Sequence, residues 1–147
     1  MLNKFFDIKP YDRNEVYLAV GKLIENAQKF EEEYKECLVA YNVKLKKNNN
    51  DSLFDCNDKM LKKKLITERQ HFILAKIAYY RNEINHSFFI NNLDSCKTEE
   101  DWTNINTYLN TIMDLIFEGR DIIANKINES KKFYSPAPTV FDKFLKK

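Results

Sequence analysis

One short segment of the chain combines side chains from which an active site could be built. It reads Arg81-Asn82-Glu83-Ile84-Asn85-His86. Asn82 lies four residues before His86, which places both on the same face of a helix, and Arg81 is one of only four arginines in the chain. An imidazole can accept or donate a proton near neutral pH, so acid–base chemistry beside a cation is what we expect here.

Other signatures of catalysis and metal binding are missing from the sequence. There is no His-Glu-x-x-His pattern, no glycine-rich phosphate loop and no Gly-x-Ser-x-Gly. His71 has no partner at ligand spacing, so we expect a surface or core-edge residue. Cys37, Cys56 and Cys96 are odd in number and widely spaced, which argues against a zinc site and a disulfide framework. We therefore expect no metal, no cofactor and a reducing compartment, the cytoplasm.

Long helices must position this segment. The 147 residues fit one domain, and the chain has only two glycines and three prolines, all of the prolines near its ends. Helix interiors disfavour both residue types, so a middle without proline favours long helices. We predict an all-α, up-and-down bundle of about four helices, three long plus shorter ones. It forms one domain over residues 1–147, with an extended C-terminal tail from about residue 131.

Spacing of apolar and capping residues predicts where these helices begin and end. The first begins at the N-cap Asp12, with Glu15 as a capping-box partner, and its apolar stripe continues to Leu45 before the polar cluster at 48–52. The second runs from about residue 57 to 89, with a short helix near 52–56. A connector at 91–97 leads to the third.

The third long helix begins after the N-cap Thr98, and its first turn is acidic, as the helix dipole favours. Gly119 interrupts it and indicates either a kink or a close helix contact. The prolines of Ser135-Pro136-Ala137-Pro138 predict an extended segment. Phe141, Phe144 and Leu145 suggest that the tail docks on the bundle or on a partner.

Charge and hydropathy exclude some functions. The chain has 24 basic and 22 acidic residues, which argues against a broad nucleic-acid surface but leaves room for a small RNA site. The basic run at residues 59–64 is either a solvated face or a contact for a phosphate backbone. No stretch approaches the roughly 18 apolar residues of a membrane span, and residues 1–10 do not resemble a signal peptide.

The helix around His86 is apolar on two faces. One carries Ile73, Ile77, Tyr80, Ile84 and Phe88, and the other carries Ala75, Ala78, Tyr79 and Phe89 beside Asn82 and His86. A second apolar face needs a second cover, which suggests another subunit. Five helical steps also place Arg81 and His86 about 140° apart. Either the helix is distorted there, or the site combines residues of two chains.

Arg81-Asn82-x-x-x-His86 resembles the signature of the HEPN superfamily, in which four to six residues separate an Arg, usually followed by Asn, Asp or His, from a His. Here four residues lie between Arg81 and His86. The placement is also similar, late in a central helix that is followed by a connector and one last long helix. Many members are metal-independent endoribonucleases of toxin–antitoxin, abortive-infection and phage-defence systems.

The resemblance implies roles for particular residues. Arg81 and His86 would be catalytic, with Asn82, Asn85 and Tyr79 supporting, in a homodimer that cleaves RNA and has an antitoxin or other partner protein. Several toxin members carry a Tyr two residues after the His, which a nucleotidyltransferase modifies; here that residue is Phe88. Alternatively, the domain is a non-catalytic interaction, dimerisation or nucleotide-binding module. In the non-catalytic case Arg81 pairs with a nearby glutamate, Glu83 or Glu68, and His86 is buried.

Overall fold

Four α-helices and one π-helical turn form the regular structure of residues 4–45 and 52–134, the part of the chain that a computed structural model describes. They are α1 (Arg13–Ala40), α2 (Leu53–Lys62), α3 (Glu68–His86), the π-helical turn (Phe89–Leu93) and α4 (Glu99–Tyr134). α4 packs against α1 and α3, and α2 packs against α3. The predicted all-α bundle is therefore confirmed.

The predicted start of α1 is confirmed, but the helix ends earlier than its apolar stripe suggested. The Asp12 side chain accepts a hydrogen bond from the backbone N–H of Glu15. α1 stops at Ala40 because Asn42 adopts a left-handed conformation (φ 56°) and the N–H of Val43 bonds back to Leu38. Tyr41 lies beyond the helix but still packs on the core. Residues 46–51, which include most of the polar cluster at 48–52, lie outside the described residues.

The single helix predicted from about residue 57 to 89 is wrong, because two helices share that range. α2 ends where Lys64 takes a left-handed conformation (φ 58°) and the N–H of Leu65 bonds to the carbonyl of Met60. α3 then begins with a capping box, in which the side chains of Thr67 and Gln70 each accept the other's backbone N–H. The short helix expected near residues 52–56 is the beginning of α2.

The connector predicted at residues 91–97 is partly helical. The N–H of Asp94 donates to the carbonyl of Phe89, five residues back, which is the bond of a π-helix. Thr98 caps α4 as predicted, since its hydroxyl accepts the N–H of Asp101. α4 extends to Tyr134, past the predicted start of an extended tail near residue 131. The rest of that tail, residues 135–147, lies outside the described residues.

The predicted stripes form one core. Ile73, Ile77 and Ile84 of α3 are buried, as is Phe88, two residues after the helix ends, and α4 contributes a longer series. That series is Trp102, Ile105, Leu109, Ile112, Ile116 and Ile123. Within residues 4–45 and 52–134, no helix is both long and apolar enough to cross a membrane.

Gly119 marks a close helix contact rather than a kink. α4 continues through it, and the glycine is buried where α1 and α3 both approach. A Cβ at this position would overlap Cδ1 of Ile77 and lie 3.1 Å from Cε2 of Phe30. The absence of a side chain therefore allows three helices to meet at one level of the bundle.

We expect Gly119→Leu to lower the free energy of unfolding by about 1–3 kcal/mol, because the added side chain overpacks the contact. Gly21 is the matched control, since it lies exposed on α1 with nothing within 4 Å of an added Cβ. Gly21→Ala should raise stability by up to about 1 kcal/mol through helix propensity alone. Urea unfolding of both variants measures the difference. Equal stability of Gly119→Leu and the unchanged protein would contradict the close contact.

Candidate active site

The predicted site residues occupy the last two turns of α3. The helix remains regular from Glu68 to His86, so the distortion that could have aligned Arg81 with His86 within one chain is absent. Ser87 ends the helix with φ −137°, and its N–H bonds to the carbonyl of Glu83. Arg81 and His86 therefore point to different sides of α3. The π-helical turn begins shortly after the helix, at Phe89.

Arg81 is anchored on two sides. Its Nε forms an ion pair with Oε1 of Glu31 on α1 at 2.6 Å, without the geometry of a hydrogen bond. Its Nη1 donates to Oδ1 of Asn82 at 3.1 Å. The Arg81 side chain is 35% exposed and that of Glu31 is 20% exposed. Nη2 of Arg81 has no hydrogen bond to any described residue, so this one nitrogen is available to donate to an anion.

Arg81 also borders a small cleft between α1, α3 and α4. The cleft holds about 110 Å³. Asn85, Gln28 and Glu31 contribute its other polar groups, and the remaining walls are apolar. The structure thus brings Arg81 and Asn85 to one cleft and places Asn82 against the Arg81 guanidinium. His86 and Tyr79 do not line this cleft.

His86 is exposed at the end of α3 and makes no hydrogen bond to a described residue. The alternative in which it is a buried, satisfied histidine is therefore wrong. Phe72 and Tyr79 precede it at intervals of seven residues, which places all three on one face. Phe72 is 59% exposed and Tyr79 58% exposed. We call this strip Phe72–Tyr79–His86. Tyr79 and His86 belong to the face expected to need a second cover and are exposed, whereas Ala78 of that face is buried within the bundle and Phe89 packs on its core.

Glu83 links the exposed strip to α4. A hydrogen bond to its carboxylate raises the pKa of Tyr79. Burial, followed by the charge of Glu83, raises the pKa of Tyr108 on α4. Both phenols therefore stay protonated at neutral pH and act as hydrogen-bond donors.

Sequence reasoning missed the partner of Arg81. It proposed Glu83 or Glu68, yet the pair forms with Glu31, fifty positions earlier, on another helix. No local pattern marks Glu31 within the run Glu31-Glu32-Glu33. His71 also has an acidic partner, Asp58 of α2, at 3.1 Å. The described residues contain no group of three His, Cys, Asp or Glu side chains that could hold a metal ion.

The fold defines the class of this protein as an all-α helical bundle with a polar site at the end of its third helix. Comparison of the chain with family models, with curated proteins and with solved structures finds no match.

Proposed function

We propose that this protein is a metal-independent endoribonuclease of the HEPN type. The proposal is carried by the contacts and the exposure of the Arg81 guanidinium. This guanidinium is paired with Glu31 and bonded to Asn82, while Nη2 has no hydrogen bond to a described residue and the side chain is partly exposed. A pre-oriented guanidinium of this kind suits the phosphoryl group of an RNA backbone.

The chemistry uses the nucleophile that RNA carries. The 2′-oxygen attacks the adjacent phosphorus, the bond from phosphorus to the 5′-oxygen breaks, and no metal-bound water is needed. His86 takes the proton from the 2′-hydroxyl or gives one to the leaving 5′-oxygen. Arg81 stabilises the charge on the phosphoryl oxygens, and Asn82 orients Arg81. The products are a 2′,3′-cyclic phosphate and a 5′-hydroxyl end.

The active form in this proposal is a homodimer. Because α3 is regular between Arg81 and His86, one chain does not aim both side chains at one phosphate. A second copy seated on the strip Phe72–Tyr79–His86 would cover two exposed aromatic side chains and bring its own Arg81 to the His86 of the first. The site is incomplete without that copy, which is the argument for a composite site.

The cellular setting that we propose is a toxin–antitoxin or phage-defence system in the cytoplasm, with an antitoxin or other protein as partner. Control by modification of a tyrosine two residues after the histidine does not transfer to this chain. Phe88 holds that position, has no hydroxyl and is fully buried. Its ring stacks on that of Tyr108.

The direct test is cleavage of labelled single-stranded RNA in the presence of EDTA. We expect fragments that end in a 2′,3′-cyclic phosphate and a 5′-hydroxyl, which end-specific enzymatic labelling distinguishes from 3′-hydroxyl and 5′-phosphate ends. A requirement for magnesium, or cleavage that survives both Arg81→Ala and His86→Ala, would rule out the proposal.

Mixing the two inactive variants tests the composite site. If each site takes Arg81 from one chain and His86 from the other, a heterodimer of Arg81→Ala and His86→Ala keeps one intact site. Random exchange in a two-fold dimer should then restore about a quarter of the native activity. Arg81→Ala mixed with itself is the control. No recovery in mixtures that demonstrably form heterodimers would contradict a site shared in this way.

The second candidate is a non-catalytic interaction module, and the ion pair between Arg81 and Glu31 favours it. In that case Arg81 joins α1 to α3 and has no other role. His86→Ala would then weaken dimerisation, measured by analytical ultracentrifugation. Neither His86→Ala nor Arg81→Ala would change the amount of RNA cleaved.

A further inference from the structure

A second cleft lies where the π-helical turn meets the beginning of α4. It holds about 240 Å³, more than twice the volume of the cleft beside Arg81. Its walls are mostly amides and hydroxyls, with an apolar flank and one carboxylate. They include Asn92, Ser95, Asp101, Asn104, Ile105 and Tyr108. No lysine or arginine lines the cleft, so its chemistry does not suit a phosphate.

Two buried polar atoms of this lining lack partners. Nδ2 of Asn92 and the hydroxyl of Tyr108 are buried and have no hydrogen bond to any described residue. The carboxylate of Glu83 lies near the Tyr108 hydroxyl, and its charge and a hydrogen bond to it contribute to the raised pKa of Tyr108. This contact lies outside good hydrogen-bond geometry, so the hydroxyl can still donate to a better placed acceptor. Buried polar groups normally have partners, and each one left without a partner costs about 1–3 kcal/mol. Both groups are donors, so a ligand with acceptor atoms would relieve this cost.

Hydrogen bonds that do not involve the Asn92 side-chain amide stabilise the backbone of the π-helical turn. The hydroxyl of Ser95 donates to the carbonyls of Asn91 and Asn92, and the thiol of Cys96 also donates to Asn92. Single π-helical turns occur frequently at functional sites. The turn therefore places a free amide at the cleft with a backbone that is already satisfied.

The charged member of the lining is committed elsewhere. Asp101 accepts the backbone N–H groups of Lys97 and Thr98, at 2.8 and 3.0 Å, which lowers its pKa. Burial raises the pKa of Cys96, so this thiol is not an anion at neutral pH. Apart from the Asp101 carboxylate, whose Oδ2 is engaged by the two N–H groups, the lining is a neutral set of donors and acceptors beside Ile105. A neutral heterocycle with ring and carbonyl acceptors is the ligand that fits this set.

We propose that the cleft binds one nucleobase of the RNA and thereby sets the base preference of cleavage. This inference rests on the proposed ribonuclease function. The Asn92 amide and the Tyr108 hydroxyl donate to acceptors on the base, while Ile105 contacts its ring. Asn92 follows His86 by six residues, so base selection and proton transfer are served by adjoining parts of the chain.

Binding of free ribonucleosides tests the cleft without any cleavage. The full-length His86→Ala protein is titrated with adenosine, guanosine, cytidine and uridine, and saturation-transfer NMR gives each Kd. We expect at least one nucleoside to bind. Asn92→Asp and Tyr108→Phe should each weaken it by about threefold to tenfold, the worth of one hydrogen bond. Asn125→Asp, an exposed change on α4, should leave the Kd unaltered.

The site of cleavage in a randomised single-stranded RNA provides the second measurement. Asn92→Asp and Tyr108→Phe should flatten or change the base frequencies at the cut, with the rate at saturating RNA retained. If no nucleoside binds, or if neither substitution alters binding or base frequencies, the cleft proposal is overturned. If the native protein cleaves no RNA but Asn92-dependent nucleoside binding is found, the ribonuclease proposal fails, and of the cleft proposal only the binding of a nucleobase survives.

Discussion

Replacing His86 by alanine should lower the rate of RNA cleavage by about a hundredfold to ten-thousandfold, the usual contribution of a general acid or base. The fold should tolerate the change. His86 is the exposed last residue of α3 and makes no hydrogen bond to a described residue. Its loss therefore removes a proton carrier without opening the core.

His71→Ala is the matched control for this prediction. His71 is the other histidine of the chain and lies at the opposite end of α3 from His86. It contacts Asp58 of α2 at 3.1 Å. Its removal should cost at most about 1 kcal/mol of stability, as expected for an exposed pair, and should leave cleavage unchanged. Single-turnover rates at saturating RNA and thermal unfolding by circular dichroism separate the two effects. A His86→Ala protein that is folded and as fast as the native one would remove His86 from the mechanism.

The second large effect is expected at Glu31. Because this carboxylate holds the Nε edge of Arg81 at 2.6 Å, Glu31→Gln should release the guanidinium from its orientation. Misplacement of a charge-stabilising group by about 1 Å can cost up to a hundredfold in rate. We expect a fall of about tenfold to a hundredfold in kcat, with a smaller change in KM. Glu31→Asp should restore part of the loss because the charge remains.

α1 offers a matched pair for this experiment. Glu33 lies two residues further on and binds Arg120 of α4, also at 2.6 Å and with similar exposure. Glu33→Gln therefore breaks an ion pair of the same length between helices without contacting Arg81. Glu33→Gln should lose at least as much stability as Glu31→Gln, measured by urea unfolding, because Arg120 makes three hydrogen bonds to Glu33. Only Glu31→Gln should lose cleavage. If both variants cleave at the native rate, Glu31 has only a structural role.

Much of the fold could be predicted from local sequence patterns, because helical periodicity and capping depend on residues that are close in the sequence. Ile73, Ile77, Ile84 and Phe88 of the predicted stripe are buried, and Tyr80 is half-buried against the core. Asp12 caps α1 as expected. The break at Lys64 was missed because apolar spacing continues across it. The capping box from Thr67 to Gln70 is the signal in the sequence that could have revealed the start of α3.

The site was predictable only in part, for a physical reason. Arg81, Asn82 and His86 are close in sequence, so their residue types and spacing can be recognised. Glu31 acts on Arg81 only because α1 folds against α3, and no feature of Glu31 alone indicates this contact. The cleft at Asn92 depends on a π-helical turn, whose five-residue hydrogen bond has no distinctive residue pattern in Phe89–Leu93.

The N-terminal segment is tied to the last helix by side-chain amides. Oδ1 of Asn110 accepts the backbone N–H groups of Phe5 and Phe6, and its Nδ2 donates to the carbonyl of Phe6. Oδ1 of Asn106 accepts the N–H of Ile8. The first described residues are thus paired with residues about a hundred positions later in the chain.

This pairing determines the order in which the chain can reach its native structure during translation. The segment around Phe6 leaves the ribosome before the helices do, but its partner Asn110 belongs to α4, the last of the described helices to be made. α1 and α3 also bury their apolar faces against α4, so those faces stay uncovered until α4 is made. Long-range contacts form slowly because the intervening chain must first be ordered. The bundle therefore closes as one unit only once α4 has emerged.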